Sequence, residues 1–99
     1  MRVISQKLLQ DFWTRHPDAE PALREWFKTA LAAAWNDLQD VRRIYPHADG
    51  VRTGRGTLTV FNICGNKYRL IVRMRYDWQL INVRAVLTHS QYDRGSWKD

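Results

Sequence analysis

One change of hydrophobic period limits what this chain can fold into. Up to about residue 45 the apolar residues recur at helical spacing, and from residue 57 to residue 88 they largely alternate. The period does not change back. Helical and strand signals segregated in this way point to an α+β domain, with helices packed on an antiparallel sheet, and not to interleaved βαβ units. With 44% hydrophobic residues and five tryptophans in 99 residues, the chain can fill one core, so residues 1–99 read as a single domain.

In the first half, "MRVIS" is a short β-prone start. Ser5 then fits a helix N-cap, with Ile4 and Leu9 placed as a hydrophobic staple. Leu8, Leu9, Phe12 and Trp13 follow at helical spacing until Pro17, which cannot continue the hydrogen-bond ladder. From about Pro21 a second helix is predicted, its stripe formed by Leu23, Trp26, Phe27, Ala30, Leu31, Ala34 and Trp35. Trp26 and Trp35 share that stripe with leucines, so they read as core and not as a platform for stacking bases. "NDLQDVRRIYP" adds a third, shorter helix capped by Asn36 or Asp37 and stopped by Pro46. Its Leu38, Val41 and Tyr45 face inward, and Arg42 and Arg43 face out. Residues 47–56, "HADGVRTGRG", hold three glycines and no apolar pattern, so a loop is expected, made basic by Arg52 and Arg55.

Strands are expected at 57–63, within 65–76, and at 80–88, giving the chain order β-α-α-β-β-β. In "GNKYRLIVRMRY" (65–76), Lys67, Arg69, Arg73 and Arg75 fall on one parity. Tyr68, Leu70, Val72, Met74 and Tyr76 fall on the other, with Ile71 out of place. In 80–88, Ile81, Val83, Ala85 and Leu87 share one face, and Asn82, Arg84 and Thr88 the opposite one. The expected sheet has an apolar face under the helices and an open, cationic face.

The distribution of charge sharpens this expectation. Residues 1–49 hold seven Lys/Arg and seven Asp/Glu, whereas residues 50–99 hold nine Lys/Arg and three Asp/Glu, so the second half carries the whole net charge of +6. Neighbouring cations without carboxylate partners repel one another, and a polyanion relieves that repulsion. Guanidinium forks bind phosphate bidentately, which makes nucleic acid the expected ligand. Other classes find no support. No apolar run is long enough for a bilayer, and "MRVISQKLLQ" lacks a signal peptide's apolar region, so a cytoplasmic protein is expected. Cys64 is the single cysteine, and His16, His47 and His89 lack metal-site spacing; neither disulfide, metal nor cofactor is expected.

After the last strand, "THSQYDRGSW" offers a capping box. Thr88 and Gln91 fit S/T-x-x-E/Q, which starts a short C-terminal helix with His89 at its first position and brings His89, Tyr92 and Asp93 to one face. A neutral imidazole is favoured near the positive end of a helix, which suits proton transfer near neutral pH.

"FNICGNKYRLIVRM", followed by a strand and "THSQYD", resembles the HigB toxins of the RelE and ParE superfamily; the likeness extends to "VISQKLLQDF" and "ALREW". It implies a RelE/ParE-like fold and a toxin of a type II toxin–antitoxin pair: a metal-independent, ribosome-dependent endoribonuclease that cuts translated mRNA. The implied inhibitor is a cognate helix-turn-helix antitoxin, the free toxin being a monomer and the complex of higher order. In such a reaction Arg69 and Arg73 would clamp the phosphate, with Lys67 beside them. His89 or Tyr92 would handle a proton, Asp93 would orient either one, and Asn62, Arg75 and Arg84 would contact the RNA. A noncatalytic RNA-binding module and a gyrase-directed toxin are the alternatives, since sheets of this kind serve both.

Overall fold

The computed structural model describes residues 1–98, and in it the two periods become two layers. The elements are β1 (Arg2–Ile4), α1 (Lys7–Arg15), a 3-10 turn at Pro17–Ala19, α2 (Glu20–Ala32), α3 (Leu38–Ile44), β2 (Asp49–Thr53), β3 (Gly56–Ile63), β4 (Tyr68–Arg75), β5 (Leu80–Thr88) and α4 (His89–Arg94). They form an α+β, RelE-like fold with one five-stranded sheet in the order β1-β5-β4-β3-β2. β1 runs parallel to β5, and the remaining pairs are antiparallel. The main core lies between α1–α3 and the sheet, where Leu9, Leu23, Trp26 and Val41 meet Phe61, Leu70, Val72 and Ile81. Each large aliphatic side chain buried there contributes about 1.5–3 kcal/mol against solvent exposure.

Four local expectations are corrected. Ser5 does not cap α1: it takes a left-handed φ of 64°, Gln6 occupies the cap without a side-chain bond, and Ile4 is 37% exposed, so there is no staple. The chain leaves a strand pinned to β5 and must reverse at once; Ser5 makes that reversal, its carbonyl accepting the Leu8 N–H at 3.1 Å. Secondly, α2 stops at Ala32, so the helical stripe does not reach Trp35, and Leu31 and Ala34 are exposed. Trp35 is still buried, but it enters from an extended connector whose carbonyl accepts a hydrogen bond from Gln79 Nε2 at 2.7 Å.

The third correction is an additional strand. Within 47–56, residues Asp49–Thr53 form β2, paired antiparallel with β3 along its length. An edge strand lying mostly in solvent needs no apolar alternation, because its backbone hydrogen bonds are enough to hold it. Fourthly, β5 carries a bulge. Ile71 pairs with Ala85 and Val72 with Val83, so Arg84 is an extra residue and the parity of β5 reverses at that point. Ile81, Val83 and Val86 therefore face the helices, while Ala85 and Leu87 face the other way. There they join Leu58, Val60 and Ile71 in a second, small cluster covered by Tyr92 and Trp97. Ile71, the residue out of place in the alternation, is a centre of that cluster. The second face of the sheet is thus partly roofed by the C-terminal segment, and only the remainder is open.

Candidate active site

The roof begins at the capping box. Thr88 Oγ1 accepts the Gln91 N–H at 3.2 Å, and Gln91 Oε1 accepts the Thr88 N–H at 3.0 Å. Two of the unpartnered donors at the start of α4 are thereby satisfied, which fixes the rotation of a helix only six residues long. On it, His89 Nδ1 and Asp93 Oδ2 lie 3.0 Å apart across one turn, both side chains more than half exposed. Both side chains are open to solvent, so the imidazole is free to exchange a proton beside a carboxylate. Gly95 ends the helix in a left-handed conformation with φ of 76°, and the chain folds back on itself. The Trp97 indole then stacks on Tyr92 with centroids 5.0 Å apart, and its Nε1 donates to the Tyr92 carbonyl at 2.9 Å.

Beneath this pair lies Arg69. It is only 9% exposed, and its Nη1 donates to the carbonyls of Asn66 (3.0 Å) and Tyr68 (3.1 Å). Its guanidinium carbon sits 5.3 Å from the centre of the Tyr92 ring, so Arg69, Tyr92 and Trp97 form successive layers. Asn62 is the residue directly opposite Arg69 on β3.

Further along β4 is a groove. Arg55, Arg73, Arg84 and Lys98 line it over a floor of Leu58, Ile71 and Ala85, with Trp97 as a wall. Arg73 Nη2 donates to the Arg55 carbonyl at 2.9 Å, which holds the guanidinium against the β2–β3 turn. The bulge puts Arg84 on the same side, and no carboxylate lines the groove among the described residues. Trp97 joins the two parts of the site, stacked on Tyr92 at one side and walling the groove at the other.

Two of the expected contacts lie elsewhere. Lys67 precedes β4 and, although of the same parity, does not share the face of Arg69 and Arg73: its ammonium is bonded to Asp18, beside the helices, and the Tyr68 hydroxyl donates to the same carboxylate at 2.8 Å. Hydrogen bonds from Lys67 and then Tyr68 hold the Asp18 carboxyl below its ordinary pKa; that carboxylate in turn raises Lys67, and burial raises the Tyr68 phenol. Arg75, at the far end of β4, is paired with Asp77, both contacts being 3.4 Å, and lies over the Trp78 ring at 4.0 Å. That pairing lowers the Asp77 carboxyl. Trp97 and Lys98 join the site without having been singled out, and Arg55, expected only as part of a basic loop, lines the groove. For Trp97 a signal existed, because a helix-ending glycine followed two positions later by a tryptophan marks a chain that folds back.

The molecule is therefore a small α+β domain whose sheet carries a cationic groove walled by Trp97, which stacks on the short helix that bears a histidine–aspartate pair. The chain belongs to the HigB toxin family, the RelE-like toxic component of a toxin–antitoxin system, whose sequence profile matches residues 19–95. It is 26% identical over 93 residues to the mRNA interferase toxin HigB of Escherichia coli K12, a match spanning 94% of this chain and 88% of that protein. The mRNA interferase HigB of Shigella flexneri matches to the same extent. Membership of a toxin–antitoxin family implies an antitoxin partner. Among the described residues, no helix is long and apolar enough to cross a membrane.

Proposed function

We propose that this chain is an endoribonuclease that cuts translated mRNA on the ribosome, in the cytoplasm, and that a helix-turn-helix antitoxin neutralises it. The observation that carries this reading is the groove: four cations with no lining carboxylate among the described residues, joined through Trp97 to the helix that bears His89 and Tyr92. The names of the related interferases support the choice of mRNA as substrate. The free toxin acts as a monomer and assembles into larger complexes with its antitoxin.

RNA can supply its own nucleophile. The 2′-oxygen attacks the adjacent phosphorus, the bond from phosphorus to the 5′-oxygen breaks, and a 2′,3′-cyclic phosphate and a 5′-hydroxyl result. One group must take the 2′-hydroxyl proton and another must protonate the departing oxygen, while cations stabilise the phosphorane. In this reading Arg73 and Arg84 hold the reacting phosphate, and the His89 imidazole and the Tyr92 hydroxyl share the two proton transfers. Asp93 fixes the imidazole. Arg69 supports Tyr92 from beneath, Asn62 adjoins it, and Arg75 is an outer contact, released from Asp77 when RNA is bound.

Mapping of mRNA 5′ ends in translating extracts tests the reading. Wild-type protein should produce new 5′ ends inside translated messages, and these should vanish in the His89→Ala, Tyr92→Ala double variant. Folded wild-type protein that yields no cuts overturns it.

A further inference from the structure

The β2–β3 hairpin has a two-residue tip, Gly54–Arg55, between Thr53 and Gly56, the last facing pair of the two strands. Two bonds tie the tip together. Thr53 Oγ1 donates to the Gly56 carbonyl at 2.7 Å and accepts the Arg55 N–H at 3.2 Å. One hydroxyl therefore fixes the backbone on both sides of Arg55, and with it the direction of the Arg55 carbonyl. That carbonyl is the acceptor for Arg73 Nη2, at 2.9 Å. Gly56, the next residue, also approaches this guanidinium: its φ is +111°, and a Cβ built there would stand 3.3 Å from Arg73 Nη1. A backbone lock, an aimed carbonyl and a glycine that leaves room all converge on one side chain, 18 residues away in the chain.

We infer that the hairpin tip positions the reaction's phosphate ligand: Thr53 locks the tip so that the Arg55 carbonyl holds the Arg73 guanidinium in the groove before RNA arrives. This rests on the reading of Arg73 as a phosphate contact. An exposed arginine has several rotatable bonds, and fixing one donor in advance orients the whole planar fork. Misplacement of a catalytic group by about 1 Å can cost about 100-fold in rate, so a tie of this kind bears on turnover more than on substrate affinity. Thr53 is a positioning residue here, acting through Arg73.

The experiment is a double-mutant cycle on message cleavage in translating extracts, using the full chain with Thr53→Val, Thr53→Ser, Arg73→Ala and the Thr53→Val, Arg73→Ala pair. Thr53→Val keeps shape and strand preference but removes the hydroxyl. It should lower kcat about tenfold, with KM changed less than about twofold, and Thr53→Ser should restore kcat to within about twofold. In the Arg73→Ala background Thr53→Val should have no further effect, because the group it acts through is gone. Thr53→Ala, which removes the same hydroxyl with a smaller side chain, should reproduce the kcat loss and serves if Thr53→Val fails to fold. Wild-type activity in Thr53→Val, or an equal loss with and without Arg73, overturns the inference and leaves the nuclease reading standing. An Arg73→Ala protein that cleaves like wild type overturns the site reading itself.

Discussion

Arg69 and Arg73 lie four residues apart on β4 and differ in what holds them. The Arg69 guanidinium is buried, bonded to two backbone carbonyls and layered under Tyr92, whereas Arg73 spends one bond on the hairpin tip and lines the groove. Truncating Arg69 removes its two bonds to backbone carbonyls together with its packing under Tyr92, so Arg69→Ala should cost about 2 kcal/mol in urea unfolding. Arg73→Ala should cost less than about 0.5 kcal/mol, as expected for a surface position, while abolishing most cleavage. Equal stability losses would contradict these separate roles. Alternation alone could put both arginines on one side of the strand, but it could not show which would be bonded to carbonyls supplied by Asn66 or Arg55. Lys67 was misplaced because alternation holds only inside a ladder, and β4 begins at Tyr68. Its pairing with Asp18 also fixes a dependence on pH. A carboxyl held below its usual 3.8 stabilises the fold above that value, and the contribution is lost as pH falls through the lowered value. Lys67, raised above 10.5, stabilises the fold below that value and loses the contribution as pH rises through the raised one. Asp18→Asn should therefore lower the urea midpoint at pH 5–8, and its difference from wild type should shrink below pH 3.8. A difference that persisted undiminished at lower pH would show that the carboxylate's charge is not what matters.

Among the elements, α4 was the most legible from sequence, because its start is written in four consecutive residues. The capping box at Thr88 and Gln91 is local chemistry and owes little to the rest of the fold. β2 and the bulge at Arg84 were not legible, for opposite reasons. β2 is held by backbone pairing at an edge, so its side chains carry no pattern. The bulge hides inside an apolar run, "LINVRAVLT", in which either parity is credible; only the register against β4 shows where it reverses. That reversal matters to the site, since it puts Ala85 into the groove floor next to Arg84. The cap also yields a prediction. Thr88→Ala should destabilise α4 by about 1 kcal/mol, enough to fray a helix that short. Amide exchange should then accelerate in residues 91–94, with cleavage reduced and the exchange of β3 and β4 amides unchanged. Protection retained across 91–94 would mean that the Tyr92–Trp97 stack, and not the cap, holds the helix.

At the scale of the molecule, charge and layer coincide. The half that builds the helices is neutral, and the half that builds most of the sheet carries the whole net charge of +6. The helix-side cations Arg24 and Arg43 have carboxylate partners on their own helices, whereas the groove cations are lined by none among the described residues. A phosphate chain that enters the groove replaces counterions there, so affinity for RNA should fall linearly with the logarithm of salt concentration. Each phosphate neutralised on a single strand contributes about −0.7 to that slope, and three or four contacts give about −2 to −3. The His89→Ala, Tyr92→Ala variant allows the measurement without cleavage, using a short single-stranded RNA from 50 to 300 mM salt. Adding Arg73→Ala to that variant should make the slope shallower by about 0.7, one contact's share. Adding Arg43→Ala, on the helix side, should leave the slope unchanged. If Arg43→Ala flattened the slope as much as Arg73→Ala, the RNA would be following the protein's overall charge and not the groove.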